Sequence, residues 1–118
     1  MPREQNIINI PAGLPGLPGE LTRFTLSVLN EDSPFFFLEC QQDENIAFII
    51  VNPFFLFPDY EFNLPDEEAE LLDIKTPEQL AVFCIVNASQ GLKNATVNLL
   101  APLVLNTATG SARQVVLN

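Results

Sequence analysis

Residues 35–51 read FFFLECQQDENIAFIIV. Two apolar runs, 35–40 and 46–51, flank the polar stretch QQDEN, and this is the clearest β-hairpin in the chain. The second run has no polar interruption. A strand with one wet face would alternate, so an unbroken run predicts burial on both faces or a position lining a barrel.

Upstream, RFTLSVL (23–29) alternates and places Phe24, Leu26 and Val28 on one face. NEDSP (30–34) is a turn. Ile7, Ile8 and Ile10 form a short first strand stopped by Pro11. PAGLPGLPG (11–19) is a rigid loop whose glycines accept positive φ. Downstream, AVFCIVNA (81–88) is a strong strand, and a loop containing Gly91 follows. Residues 95–100 and 103–106 read as strands interrupted by Pro102, which marks an edge or bulge. TATGSA (107–112) is a turn, and 113–117 form the last strand. About eight short strands at regular spacing predict a mainly β fold: a small antiparallel β-barrel-like single domain over residues 1–118, or a sandwich. A closed barrel also removes exposed edges. The expected core is Phe24, Leu26, Val28, Phe37, Phe48, Ile50, Val82, Cys84, Val86, Val97, Leu99, Val104 and Val116.

One or two short helices are expected around residues 65–80. In LPDEEAELLD (64–73), Pro65 stands near the start, acids fill the first turn, and Leu71 and Leu72 supply an apolar contact. In TPEQL (76–80), Thr76 is an N-cap and Pro77 takes the first helical position.

NPFFLFPDYEFNL (52–64) lies between hairpin and helices. It is too apolar for an ordinary loop and too rich in proline for a central strand. Its aromatics need cover, from the core or from a partner. A single phenylalanine here reads as core. The group reads as a half-buried contact surface, because Tyr60 carries a polar tip between Asp59 and Glu61.

The chain has Asp+Glu 15 against Lys+Arg 5, a formal net charge of -10, and no histidine. Such an excess serves solubility or attracts a cationic partner. Direct nucleic-acid binding and an anionic membrane surface are disfavoured, because Arg3, Arg23, Lys75, Lys93 and Arg113 are scattered. No apolar run approaches the roughly 20 residues that span a bilayer. With no signal peptide visible, a cytoplasmic location is expected. Cys40 and Cys84 each sit in an apolar run without C-x-x-C spacing, which reads as two buried, reduced thiols.

No catalytic set emerges. Histidine is absent, neither lysine has nucleophile context, and proline in GLPGLPG removes the donors a phosphate cradle needs. Asp59 with Glu61, and Asp66, Glu67, Glu68 and Glu70, are numerous enough for a hard cation or acid–base work, but they lack the calcium-loop pattern and read as a solvated face. No cofactor or metal is expected.

An ordered series of motifs resembles the FliW family of flagellar assembly factors. The series comprises GLPG (13–16), SPFFFLE (33–39), AFIIVNPFFLFPDYEFNL (47–64), LLDIKTPEQLAVFCIV (71–86) and ATVNLLAPLVLNTATGSARQVVLN (95–118). The resemblance implies a β-barrel-like, non-enzymatic protein. It implies two partners: CsrA, a basic RNA-binding repressor of flagellin messenger RNA, and flagellin, which sequesters the factor. Phe54, Phe57, Asp59, Tyr60, Glu61, Asp66, Glu67, Glu68 and Glu70 are the candidate partner-binding residues. The alternative is a small-molecule-binding β-barrel or a carboxylate-dependent enzyme.

Overall fold

The computed structural model describes residues 6–14, 16–28, 32–87 and 92–117. The hairpin is present: β3 (Phe35–Cys40) pairs antiparallel with β4 (Ala47–Val51), Phe37 opposite Ile49 and Leu38 opposite Phe48. β2 (Arg23–Val28) pairs with β3 and with β1 (Asn6–Asn9). β5 (Leu80–Asn87) lies beside β4. Its other edge is shared: the first half pairs with β7 (Leu103–Asn106), the end with the two-residue β6 (Thr96–Val97). β8 (Ala112–Gln114) pairs with β7.

The path β1-β2-β3-β4-β5-β7-β8 therefore curls into a nearly closed antiparallel barrel of seven strands, with β6 off the path. A parallel bridge between Asn9 and Ser111 joins its ends, and the Asn9 N–H donates to the Gly110 carbonyl at 2.8 Å. Gly110 has φ 81°, and a Cβ there would stand 2.9 Å from the Ile7 carbonyl oxygen. The seam thus needs glycine both for its backbone conformation and for the close approach.

Strand alternation builds two cores. Inward side chains, including Phe24, Leu38, Ile50, Phe83, Leu103 and Leu105, form the barrel interior. Leu14 and Leu21 of the early loop are buried against it, and Leu17 packs there too. A second core lies outside the barrel, where Leu72, Val104 and Val115 pack with Phe62, Leu64, Ile74, Leu80 and Leu117. The chain between β4 and β5 supplies Phe62, Leu64, Leu72 and Ile74, so it lies as a strap over the barrel wall. This explains the unbroken apolar run of β5: Phe83 faces the interior, while its neighbours Val82 and Cys84 are buried on the opposite face.

The strap contains α1 (Pro53–Leu56), α2 (Asp66–Leu71) and a 3-10 turn (Pro77–Gln79); a second 3-10 turn is Leu92–Asn94. The helices expected around residues 65–80 are α2 and the first 3-10 turn, with Thr76 at its N-cap position. α2 ends in a Schellman motif: Ile74 N–H donates to Ala69 O at 3.0 Å and Asp73 N–H to Glu70 O at 3.1 Å, with Asp73 at φ 57°. Asn106, fully buried, ties this helix end to the β7–β8 turn. Its Nδ2 donates to Leu72 O at 2.7 Å and Asp73 O at 3.2 Å, while its Oδ1 accepts from Ala108 N–H at 2.8 Å and Thr109 N–H at 3.3 Å.

Several expectations are corrected. Val28, Phe37 and Val116 are exposed, not core. Phe37 has the parity opposite to Leu38 and points outward; a triple-phenylalanine run carries no alternation to reveal this. Val28 is the last residue of β2, and Val116 lies beyond the end of β8. Leu26, Phe48, Val86, Val97 and Leu99 are only partly buried. The expected strand 95–100 shrinks to Thr96–Val97 and the strand 113–117 to Ala112–Gln114. Past Gln114 the pairing is irregular, with Val115 N–H on Pro102 O and Leu117 N–H on Leu100 O. The helix α1 was not expected, although Asn52-Pro53 is a cap followed by proline at the first helical position. Part of the loop expected at 89–94 lies outside the described residues.

Candidate functional site

α1 forms because Asn52 Oδ1 accepts from Phe54 N–H at 2.9 Å and Phe57 N–H donates to Pro53 O at 2.8 Å. Of its residues only Pro53 is buried. The turn therefore presents Phe54, Phe55, Leu56 and Phe57 to solvent, with Phe55 68 % exposed. Large apolar side chains contiguous in sequence and uncovered on the surface make this turn a candidate interaction site. Phe62 and Leu64, by contrast, turn into the outer core. The segment thus splits between core and surface.

Tyr60 holds the turn in place. Its hydroxyl donates to Leu99 O at 2.7 Å, its N–H donates to Phe57 O at 2.9 Å, and its ring lies 5.4 Å from that of Phe54. Burial first, and then the neighbouring Cys84 thiol, push the Tyr60 hydroxyl above its ordinary value. Burial pushes the Cys84 thiol up to about 11, against a smaller lowering by Tyr60. Both groups stay protonated at neutral pH and serve packing. Cys40 and Cys84 are both buried free thiols.

Asp59 and Glu61 flank Tyr60 and are exposed, as are Asp66, Glu67 and Glu70 on α2. Glu68 is different. It is half-buried and accepts from Arg113 Nε at 2.6 Å, tying α2 to β8. Lys75 pairs with Asp73 at 3.0 Å in the open, a contact worth little. Among the described residues no group of three or more Cys, Asp or Glu is arranged to hold a metal ion. Open hollows of the surface include one away from these acids and one against them. One of about 450 Å³ lies where the β1 and β7–β8 ends of the barrel meet, lined in part by Ile7, Ala81 and Gly110. One of about 500 Å³ lies beside Asp66, Glu70 and Lys75. Phe55 and Leu56 extend the apolar surface beyond the residues singled out from sequence, and Leu100, 70 % exposed, follows the Leu99 carbonyl that Tyr60 holds. Phe55 belongs to the aromatic group but reads singly as core, which its exposure corrects; only adjacency pointed to Leu56, and nothing pointed to Leu100.

The model of the FliW protein family matches residues 2–118. The chain belongs to the FliW family. The flagellar assembly factor FliW of Bacillus subtilis (strain 168) is 41% identical over 116 residues, covering 98% of this chain and 80% of that protein. The flagellar assembly factor FliW of Caldicellulosiruptor saccharolyticus is 42% identical over 115 residues, covering 98% and 74%. A crystal structure of the flagellar assembly factor FliW superposes with a TM-score of 0.87 at 31% identity, covering 96% of this chain and 78% of that one. FliW proteins are non-enzymatic assembly factors, which agrees with a tyrosine and a thiol committed to packing. Among the described residues no helix is long and apolar enough to cross a membrane.

Proposed function

We propose that this FliW protein is a cytoplasmic partner switch. It binds the basic repressor CsrA, relieves repression of flagellin messenger RNA, and is itself sequestered by flagellin. The observation that carries this reading is the exposed turn Phe54–Phe57 together with exposed acids: Asp59 and Glu61 next to it, and Asp66, Glu67 and Glu70 further along the strap. Apolar anchors with an acidic rim suit a partner carrying apolar and basic residues on one face. The acids raise the association rate more than the intrinsic affinity. With a net charge of -10, the protein does not itself compete for RNA. Docked beside a basic surface, it repels incoming phosphates.

The test measures association with CsrA by stopped flow. Reversing Asp66, Glu67 and Glu70 to Lys slows association about tenfold or more, and added salt slows the wild type. Glu68 is left in place, since its loss breaks the pair with Arg113. In mobility-shift assays the protein alone leaves flagellin leader RNA unshifted, and it releases RNA from the CsrA complex. An association rate indifferent to both charge and salt refutes the role of these acids.

A further inference from the structure

The polar tip of Tyr60, which the sequence offered as part of a contact surface, is already engaged inside the protein. Its hydroxyl donates to Leu99 O at 2.7 Å, a residue 39 positions away, and lies beside the buried Cys84 thiol. That acceptor is itself fixed on both sides. Asn98 N–H donates to Ile85 O of β5 at 3.0 Å, and Leu100 O accepts from Leu117 N–H at 2.7 Å. The neighbouring turn has little of its own to order it. α1 has only four residues, and a lone helical turn is unfavourable because nucleation fixes several dihedrals for one hydrogen bond. Of those residues only Pro53 is buried, so the exposed aromatics are not held by packing in the core. Asn52 caps the front of the turn. Tyr60 holds the back, where its N–H donates to Phe57 O at 2.9 Å and its ring stands 5.4 Å from that of Phe54. One side chain therefore links Phe54 and Phe57 to a rigid point of the barrel.

We infer that Tyr60 is a positioning residue and not a contact residue: through Leu99 O it fixes the turn Phe54–Phe57 in the conformation that a partner meets. The inference rests on the reading above, in which that turn supplies the apolar anchors for CsrA. Ordering completed in the free protein does not oppose association, whereas a loose turn binds more weakly with the same side chains. The hydroxyl thus acts on binding without touching the partner, by way of Phe54 and Phe57.

The test is Tyr60→Phe, which keeps the ring against Phe54 and removes the hydroxyl alone. Leu99 is only partly buried, so water takes over at its carbonyl, and the melting temperature falls by no more than about 5 °C. Amide exchange in the free protein is read first. The Phe57 and Tyr60 N–H groups exchange about tenfold faster or more, while those of Leu72 and Asn106, which bond elsewhere, keep their rates. Affinity for CsrA is read second, in two backgrounds. In the wild type Tyr60→Phe weakens binding about fivefold or more. In Phe55→Ala with Phe57→Ala, which removes exposed side chains that the turn presents, it weakens binding by under about twofold. A direct contact of the hydroxyl gives the same loss in both backgrounds, and that result overturns the inference. Unchanged exchange at Phe57 and Tyr60 overturns it too, as does full affinity in a variant whose turn has loosened. A wild type that does not bind CsrA overturns the partner reading instead, and the exchange rates still decide whether Tyr60 orders the turn.

Discussion

Replacing Asn106 with alanine should be the most damaging polar truncation in this protein. The side chain is fully buried and makes four hydrogen bonds: two donated to Leu72 O and Asp73 O, two accepted from Ala108 N–H and Thr109 N–H. Ala108 and Thr109 are exposed, so water replaces their lost acceptor at small cost. The carbonyl of Leu72 is not so placed, since Leu72 is 2 % exposed and its bond to Asn106 is buried. Leaving that acceptor orphaned costs about 1–3 kcal/mol, and the remaining bonds add roughly 0.5–1 kcal/mol each. Because water takes over at Ala108 and Thr109, the lower end of that sum applies, about 3 kcal/mol, a large share of the roughly 5–15 kcal/mol that holds a typical domain together. For a chain of this size the melting temperature should fall by roughly 10–15 °C. Asn106→Asp should be worse at neutral pH, because it buries a carboxylate facing two carbonyl oxygens. That carboxyl titrates above its unfolded value, so stability should recover as the pH falls. The assay is thermal and urea unfolding of both variants beside Glu67→Gln, an exposed control on α2 expected to shift stability by under about 0.5 kcal/mol. A loss below about 1 kcal/mol for Asn106→Ala, or an Asn106→Asp variant no more stable at pH 5 than at pH 7, would refute the account.

Two further outcomes follow from the geometry. Gly110→Ala should cost about 1–3 kcal/mol in urea unfolding, because a side chain at φ 81° is strained and its Cβ meets Ile7 O; an unchanged midpoint would show that the seam gives way freely. Raising the pH from 9 to 11 should progressively destabilise the wild type. The unfolded chain loses the Cys84 proton near 9 while the folded chain holds it to about 11, so the unfolded state binds fewer protons and stability falls. Tyr60, also raised, adds to the loss above pH 10. Cys84→Ala should flatten the first part of this profile, measured by chemical unfolding at each pH.

Local sequence carries much of this protein. The hairpin of residues 35–51 is legible because two apolar runs flank a polar one, and runs of that length pair through near-neighbour contacts. Helix α2 and the turn at Thr76 are legible because acids, threonine and proline satisfy helix ends within a few residues. The absence of histidine and the spread of cations limit chemistry before any folding. The resemblance to FliW rests on the order of motifs, which is likewise linear information.

Tertiary structure decided the rest. Parity in β3 was undetermined by Phe35-Phe36-Phe37, and only pairing with β4 and the position of the interior turned Phe37 outward. Six acids looked alike between residues 59 and 70, yet only Glu68 lies against Arg113, 45 residues away. The aromatic segment divided because the strap has two sides, with Phe62 packed on the wall and Phe55 in water. Asn106 reads as an ordinary turn residue until α2 ends beside it, 34 residues earlier in the chain. In each case the deciding contact joins residues that no local pattern relates: propensity acts over a few residues, whereas burial and pairing are set by whichever distant segment covers the site.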